Sequence, residues 1–284
     1  MTMRKREALL GLLFILPFLA GFVLFYIAPF LEGTRQTFFF AGHFSGLRSY
    51  REVWASSAFR LAVGNTLRFI AVGVPLVMAV SLALALALRR RFAGSSFFRS
   101  AFLLPLVLPI ASIVMVCQVF LAERGVLNGF LSVLGRPAVE WLTSDAAFWA
   151  LIALYIWKNC GYGMVLFLAG LNAIPGELEQ AARLDGADGK QVFWRVTVPL
   201  LFPSGVLAAI FSVMNAFRCF REAYLLCGDR PHRSIYMLQH FMNNNFNNLN
   251  YPRLFIAALF TFCVIFLLVL LLLRMRRKAG DLEL

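Results

Sequence analysis

ELEQAARLDGADGKQVFWRVTVPLLFP, residues 177–203, places Glu177, Glu179, Arg183, Asp185, Asp188, Lys190 and Arg195 within one short run of a chain whose charged content is only 14%. Pro175 just ahead of it marks a helix start, and Glu177 and Glu179 in the first turn suit the positive end of the helix dipole. Gly186 reads as a reversal of direction through positive φ. A second short helix, about Asp188 to Arg195, leads to Pro199 and Pro203 at the entrance of the next apolar stretch. The expected object is a helix–turn–helix bracket with Ala181 and Ala182 as a low-relief patch, and with Phe193 and Trp194 available to fill a pocket. The other reading is a polar connecting loop.

The flanks explain why such a bracket stands out. The 284-residue chain is 61% hydrophobic with 30 Phe, whereas a soluble domain carries about 45–50% apolar and about 25% charged residues. Six runs, 8–31, 69–88, 100–122, 146–170, 196–217 and 254–273, are each of the order of the ~20 apolar residues that cross a bilayer core as a helix. The fold class predicted is all-α: a polytopic membrane protein with six transmembrane helices. The first run is too long for the apolar region of a signal peptide and lacks a following A-x-A site, so it reads as an uncleaved span. The outer loops, 32–68, 123–145 and 226–252, include an amphipathic "FSGLRSYREVW", a glycine-punctuated stretch and the polar tract "MNNNFNNLN".

Net charge is +13, and its placement speaks of topology. Arg4, Lys5 and Arg6, then Arg89, Arg90, Arg91 and Arg99, then Arg183, Lys190 and Arg195, then Arg274, Arg276, Arg277 and Lys278 fall on one side of the six runs. That is more than half of the 27 Lys and Arg, which puts this side and both termini in the cytoplasm. Nucleic-acid binding is excluded as the reason for the basic balance. The five cysteines are isolated, with no metal-ligand spacing around them, and read as small buried residues.

The bracket resembles the signature of permease subunits of bacterial binding-protein-dependent ABC importers: Glu-Ala-Ala, three residues, Gly, nine residues, Ile-x-Leu-Pro. Gln180, Ala181, Ala182, Gly186, Val196, Val198 and Pro199 keep every spacing, with Gln180 in place of the Glu and Glu179 adjacent. Similarity to the carbohydrate-uptake permeases of the maltose and glycerol-phosphate type extends through "FILPFLAGFVLFYIAPFLEG", "FRSAFLLPLVLPIAS" and "WKNCGYGMVLFLAGLNAIP". The resemblance implies the type I importer fold, with a first helix and outer segment over 1–68, a permease domain over 69–278 and a tail at 279–284. It also implies that the coupling loop 174–199 docks Glu179, Gln180, Ala181, Ala182, Arg183, Asp185, Gly186 and Ala187 into an ATPase subunit. The implied partners are a second homologous permease, two ATP-binding cassette subunits, an extracytoplasmic solute-binding protein and membrane lipid. ATP and Mg would belong to the ATPase subunits, with no cofactor and no catalytic residue here; the absence of G-x-x-x-x-G-K-[ST] agrees.

Polar groups inside spans mark pathways or pairs. Tyr155, Lys158, Asn159 and Tyr162 share a face of the fourth run, and Asn215, Arg218, Cys219 and Glu222 share a face of the fifth, with Arg221 nearby. Asn, Arg and Tyr donors beside aromatic faces suit a neutral, hydroxyl-dense sugar. The alternatives are structural: an Arg218–Glu222 ion pair at i, i+4, and Lys158 on helix-end carbonyls. Other cargoes of the same architecture, a polyamine or a phosphate ester, remain open. A membrane enzyme or secondary transporter is disfavoured, because Glu222, on the continuation of the fifth run, is the one acid on the faces considered, and a secondary transporter rarely needs the bracket.

Overall fold

The computed structural model describes residues 3–40, 43–89 and 92–280, with side chains undescribed at 3–10, 40 and 277–280. Arg90 and Arg91 of the basic-side reading, and residues 281–284 of the expected 279–284 tail, lie outside the described residues. The elements are helical apart from a two-residue antiparallel ladder, β1 (Phe39–Phe40) and β2 (His43–Phe44). Among the described residues six stretches are long and apolar enough to span a membrane: 11–36, 57–89, 110–133, 146–173, 189–227 and 251–276. The all-α, six-span expectation therefore holds, with different bounds.

The chain forms two compact units, 1–60 with 241–261, and 61–240 with 262–284. In the first, α1 (Met3–Phe22) runs through a π-helical turn at Val23–Ile27 into α2 (Ala28–Gln36). The 18-residue apolar window here is wholly uncovered by the rest of the chain, as expected of a helix whose solvent is lipid. The amphipathic segment read from the sequence is α3 (Arg48–Ala55). Its Trp54 meets Phe59 and Phe260 edge-on at 5.5 and 5.6 Å between ring centroids, an arrangement the ring quadrupole favours.

In the second unit α8 (Ala146–Ala173) is the central post, with most of its apolar window buried. It packs on α4 (Ser57–Arg89), α5 (Ser95–Val107) and α11 (Val198–Arg218) through small residues. A side chain at Gly161 would collide with the Phe102 carbonyl of α5, and one at Gly163 with Ser81 of α4. Ser81 then donates to the Cys160 carbonyl at 2.9 Å. Close backbone approach through small residues is how helices associate where lipid removes the usual hydrophobic drive.

Three expectations are corrected. The run 100–122 is not one helix: α5 stops, Leu108 and Pro109 are extended (ψ 139° and 135°), and α6 (Ile110–Leu121) restarts. Pro109 lacks an N–H and disfavours helical geometry at the residue before it. The 123–145 loop contains α7 (Val126–Val133), organised by buried Asn128, whose Oδ1 accepts from Val139 N at 2.9 Å and Trp141 Nε1 at 3.0 Å. Most of "MNNNFNNLN" is helical in α13 (Leu238–Asn247), ahead of α14 (Tyr251–Gly280).

Candidate functional site

Two sites emerge. The first is the bracket. α9 (Gly176–Leu184) opens after Pro175 with Glu177 and Glu179 in its first turn and ends with Arg183 in its last, both in the favourable sense of the dipole. It closes by the paired bonds of a Schellman motif, Ala187 N to Ala182 O at 3.0 Å and Gly186 N to Arg183 O at 3.1 Å, with Gly186 at φ +87°. Asp188 immediately caps α10 (Gly189–Val192): its carboxylate accepts from Gln191 N at 2.7 Å, and Gln191 Oε1 accepts from Asp188 N at 3.1 Å. A π-helical turn, Phe193–Thr197, leads into α11.

The bracket is anchored from inside and bare outside. Val192 and Thr197 are buried, and Arg89 at the end of α4 donates to Glu179 Oε1 at 2.8 Å. Glu179 thus holds the bracket to its own chain, while Gln180, Ala181, Arg183 and Asp185 face outward. Leu184 is 89% exposed and Trp194 67%, so Trp194 fills no pocket of this chain.

The second site is a cavity of about 380 Å³. The broken helix supplies one wall through Leu108, Pro109 and Ile110, and α8 supplies Tyr155, Lys158 and Asn159. Asn215 and Arg218 come from α11, and Arg221 and Glu222 from α12 (Phe220–Cys227), which follows α11 after a tight turn at Cys219. Six of the seven residues expected on a pathway therefore meet in one concavity. Tyr162 does not: its ring packs edge-on against Phe211 at 5.0 Å and lies outside the lining.

Pairing within the cavity differs from the i, i+4 expectation. Glu222, 3% exposed, bonds Lys158 across from α8, not Arg218. Tyr155 is buried and donates to the Ser212 carbonyl at 2.7 Å, so it ties α8 to α11. Asn159 Nδ2 donates to the Tyr155 carbonyl at 2.8 Å. The wall at Leu108–Pro109 was missed from the sequence, although the proline pair in "LLPLVLP" (Pro105 and Pro109) was the available signal.

Comparison with known proteins follows the same lines. Residues 78–278 match the family described as binding-protein-dependent transport system inner membrane component. The trehalose/maltose transport system permease protein of Thermococcus litoralis is 31% identical over 98% of this chain and 97% of its own. The multiple sugar-binding transport system permease protein of Streptococcus mutans is 28% identical over 93% of each chain. Among solved structures, a bacterial ABC transporter involved in the import of the acidic polysaccharide alginate superposes with a TM-score of 0.84 at 22% identity, over 96% of both chains. A family match across most of the chain, a relative aligned nearly end to end and a shared membrane fold converge: this chain belongs to the binding-protein-dependent transport system inner membrane components, the permease subunits of ABC importers.

Proposed function

We propose that this chain is one of two permease subunits of an ATP-driven importer that carries a sugar delivered by an extracytoplasmic binding protein. The observation that carries the reading is the alignment with a trehalose/maltose permease, 31% identical over nearly the whole of both chains, joined to a polar cavity set among membrane-spanning helices. A solved relative of the same fold is described in complex with a saccharide-bound periplasmic protein. Both termini and the bracket lie in the cytoplasm, and the first helix faces lipid.

The bracket, Glu179 to Ala187, docks into one of two ATPase subunits, which bind ATP and Mg; Leu184 and Trp194 supply the exposed apolar contact. ATPase closure moves the bracket as a rigid body, and the spans rock so that the cavity opens outward to accept sugar. Hydrolysis and separation then favour the inward-open state. Asn159, Asn215, Arg218 and Arg221 present hydrogen-bond donors to the passing solute, while Tyr155 and the Lys158–Glu222 pair hold the walls.

The test is reconstitution with the second permease, the ATPases and the binding protein in proteoliposomes. ATP-dependent accumulation of a labelled saccharide is the expected result. Accumulation of a polyamine or a non-sugar phosphate ester in place of every saccharide tried overturns the sugar assignment.

A further inference from the structure

The cavity is electrically lopsided. Lys158, Arg218 and Arg221 face a single carboxylate, Glu222, leaving two positive charges in excess. Lys158 is committed to that carboxylate, and the pair is largely withdrawn from solvent, at 16% and 3% exposure. Arg218 and Arg221 are exposed, and among the described residues no carboxylate lies within the 4.0 Å ion-pair reach of either guanidinium. Arg221 stands in the first turn of α12, where the dipole adds to the positive potential. A charge within a span is tolerated when it is paired or faces a polar cavity. Arg218 and Arg221 face the cavity without a carboxylate partner among the described residues, which leaves both guanidinium groups open to an anion.

A neutral sugar is served by Asn159 and Asn215 and gives no return on that excess charge. The guanidinium fork matches an oxyanion with two parallel, charge-assisted bonds. We propose that the solute taken by this cavity is an acidic saccharide, bearing a carboxylate or a like oxyanion that Arg218 and Arg221 bind while the asparagines take its hydroxyls. This rests on the sugar-permease reading and narrows its substrate class. The rival claimant for the arginines is an acidic side chain of a neighbouring subunit.

The experiment measures equilibrium binding of labelled digalacturonate and digalactose to the assembled complex in nanodiscs, without binding protein. Expected is a preference of about tenfold or more for digalacturonate, equivalent to ~1.4 kcal/mol, which narrows as salt rises. R218Q/R221Q should bring the two probes to near parity, and R218K/R221K should keep most of the preference; co-elution of the subunits controls for folding. If R218Q/R221Q does not assemble, R221Q alone carries the test, with a partial loss of preference expected. Digalactose binding as well as digalacturonate overturns the acidic assignment, leaves the sugar reading standing and hands the arginines to a neighbouring acid. An unchanged preference in R218Q/R221Q, or in R221Q where that variant stands alone, overturns the role of the arginines. Binding of succinate with neither saccharide overturns this inference and the sugar reading together.

Discussion

At Glu222 a carboxylate is buried to 3% exposure with one oxygen on Lys158 and the other, Oε2, without a hydrogen-bond donor among the described residues. Such a pair is worth little against a well-packed apolar replacement, but breaking it from one side is costly because it strands a charge. Lys158→Ala should therefore destabilise the fold by about 3–5 kcal/mol, and Lys158→Met with Glu222→Leu should recover most of that loss. Thermal melting of the purified complex checks both; a wild-type melt for Lys158→Ala alone would show that the pair is not formed. His240, outside the spans, offers a pH-dependent counterpart. It is fully buried, its Nδ1 accepts from Met237 N at 3.1 Å, and burial pushes its pKa from 6.5 down to about 4 despite an opposing pull from Asp229. The folded state then binds fewer protons than the unfolded state between those values, so stability present above about pH 6.5 declines as pH falls toward 4. Melting temperatures from pH 7.5 to 4.5 should fall less steeply in His240→Gln than in the parent.

Elements differ in how openly their sequences declare them, and the bracket is the most open. Its proline, first-turn acids and αL glycine are local signals, each acting within four residues, so its outline was legible before any tertiary contact was known; the Asp188-x-x-Gln191 capping box is equally local but went unread. The interior of α8 was legible from length and composition in the same way. The α5–α6 break was less so, because Pro105 and Pro109 occur in one apolar run and only Pro109 ends a helix; Pro105 is accommodated inside α5. The partner of Lys158 was not legible at all. It depends on the rotation of α12 relative to α8, 64 residues away, and local spacing favoured Arg218. Gly186→Val carries the element-scale prediction. At φ +87° a β-branched side chain is an outlier costing on the order of 1–3 kcal/mol, although open space surrounds the position. The variant should assemble and keep ATP hydrolysis while losing most uptake per ATP; normal stoichiometry would remove the bracket from the coupling role.

For the whole molecule, span count and charge placement make a joint statement about sidedness. In a cysteine-free background, a cysteine at exposed Asp188 should react with an impermeant maleimide only from the cytoplasmic face, and one at exposed Asn248 only from outside. Labelling of position 188 from outside alone would invert the arrangement. The consequence of the closed bracket is mechanical. A linkage loses whatever part of a stroke its joints absorb, and the weak joint here would be the bend between α9 and α10. That bend is cross-tied by the Ala187–Ala182 and Gly186–Arg183 bonds on one side and by the Asp188–Gln191 box on the other. Below it, Arg89 clamps Glu179 to the foot of a neighbouring span. With so little slack, a displacement imposed at Leu184 and Trp194 by the proposed ATPase partner would pass toward α11 with little lost in the bend, and the stiffness of that turn would set how much of the stroke becomes movement of the cavity wall.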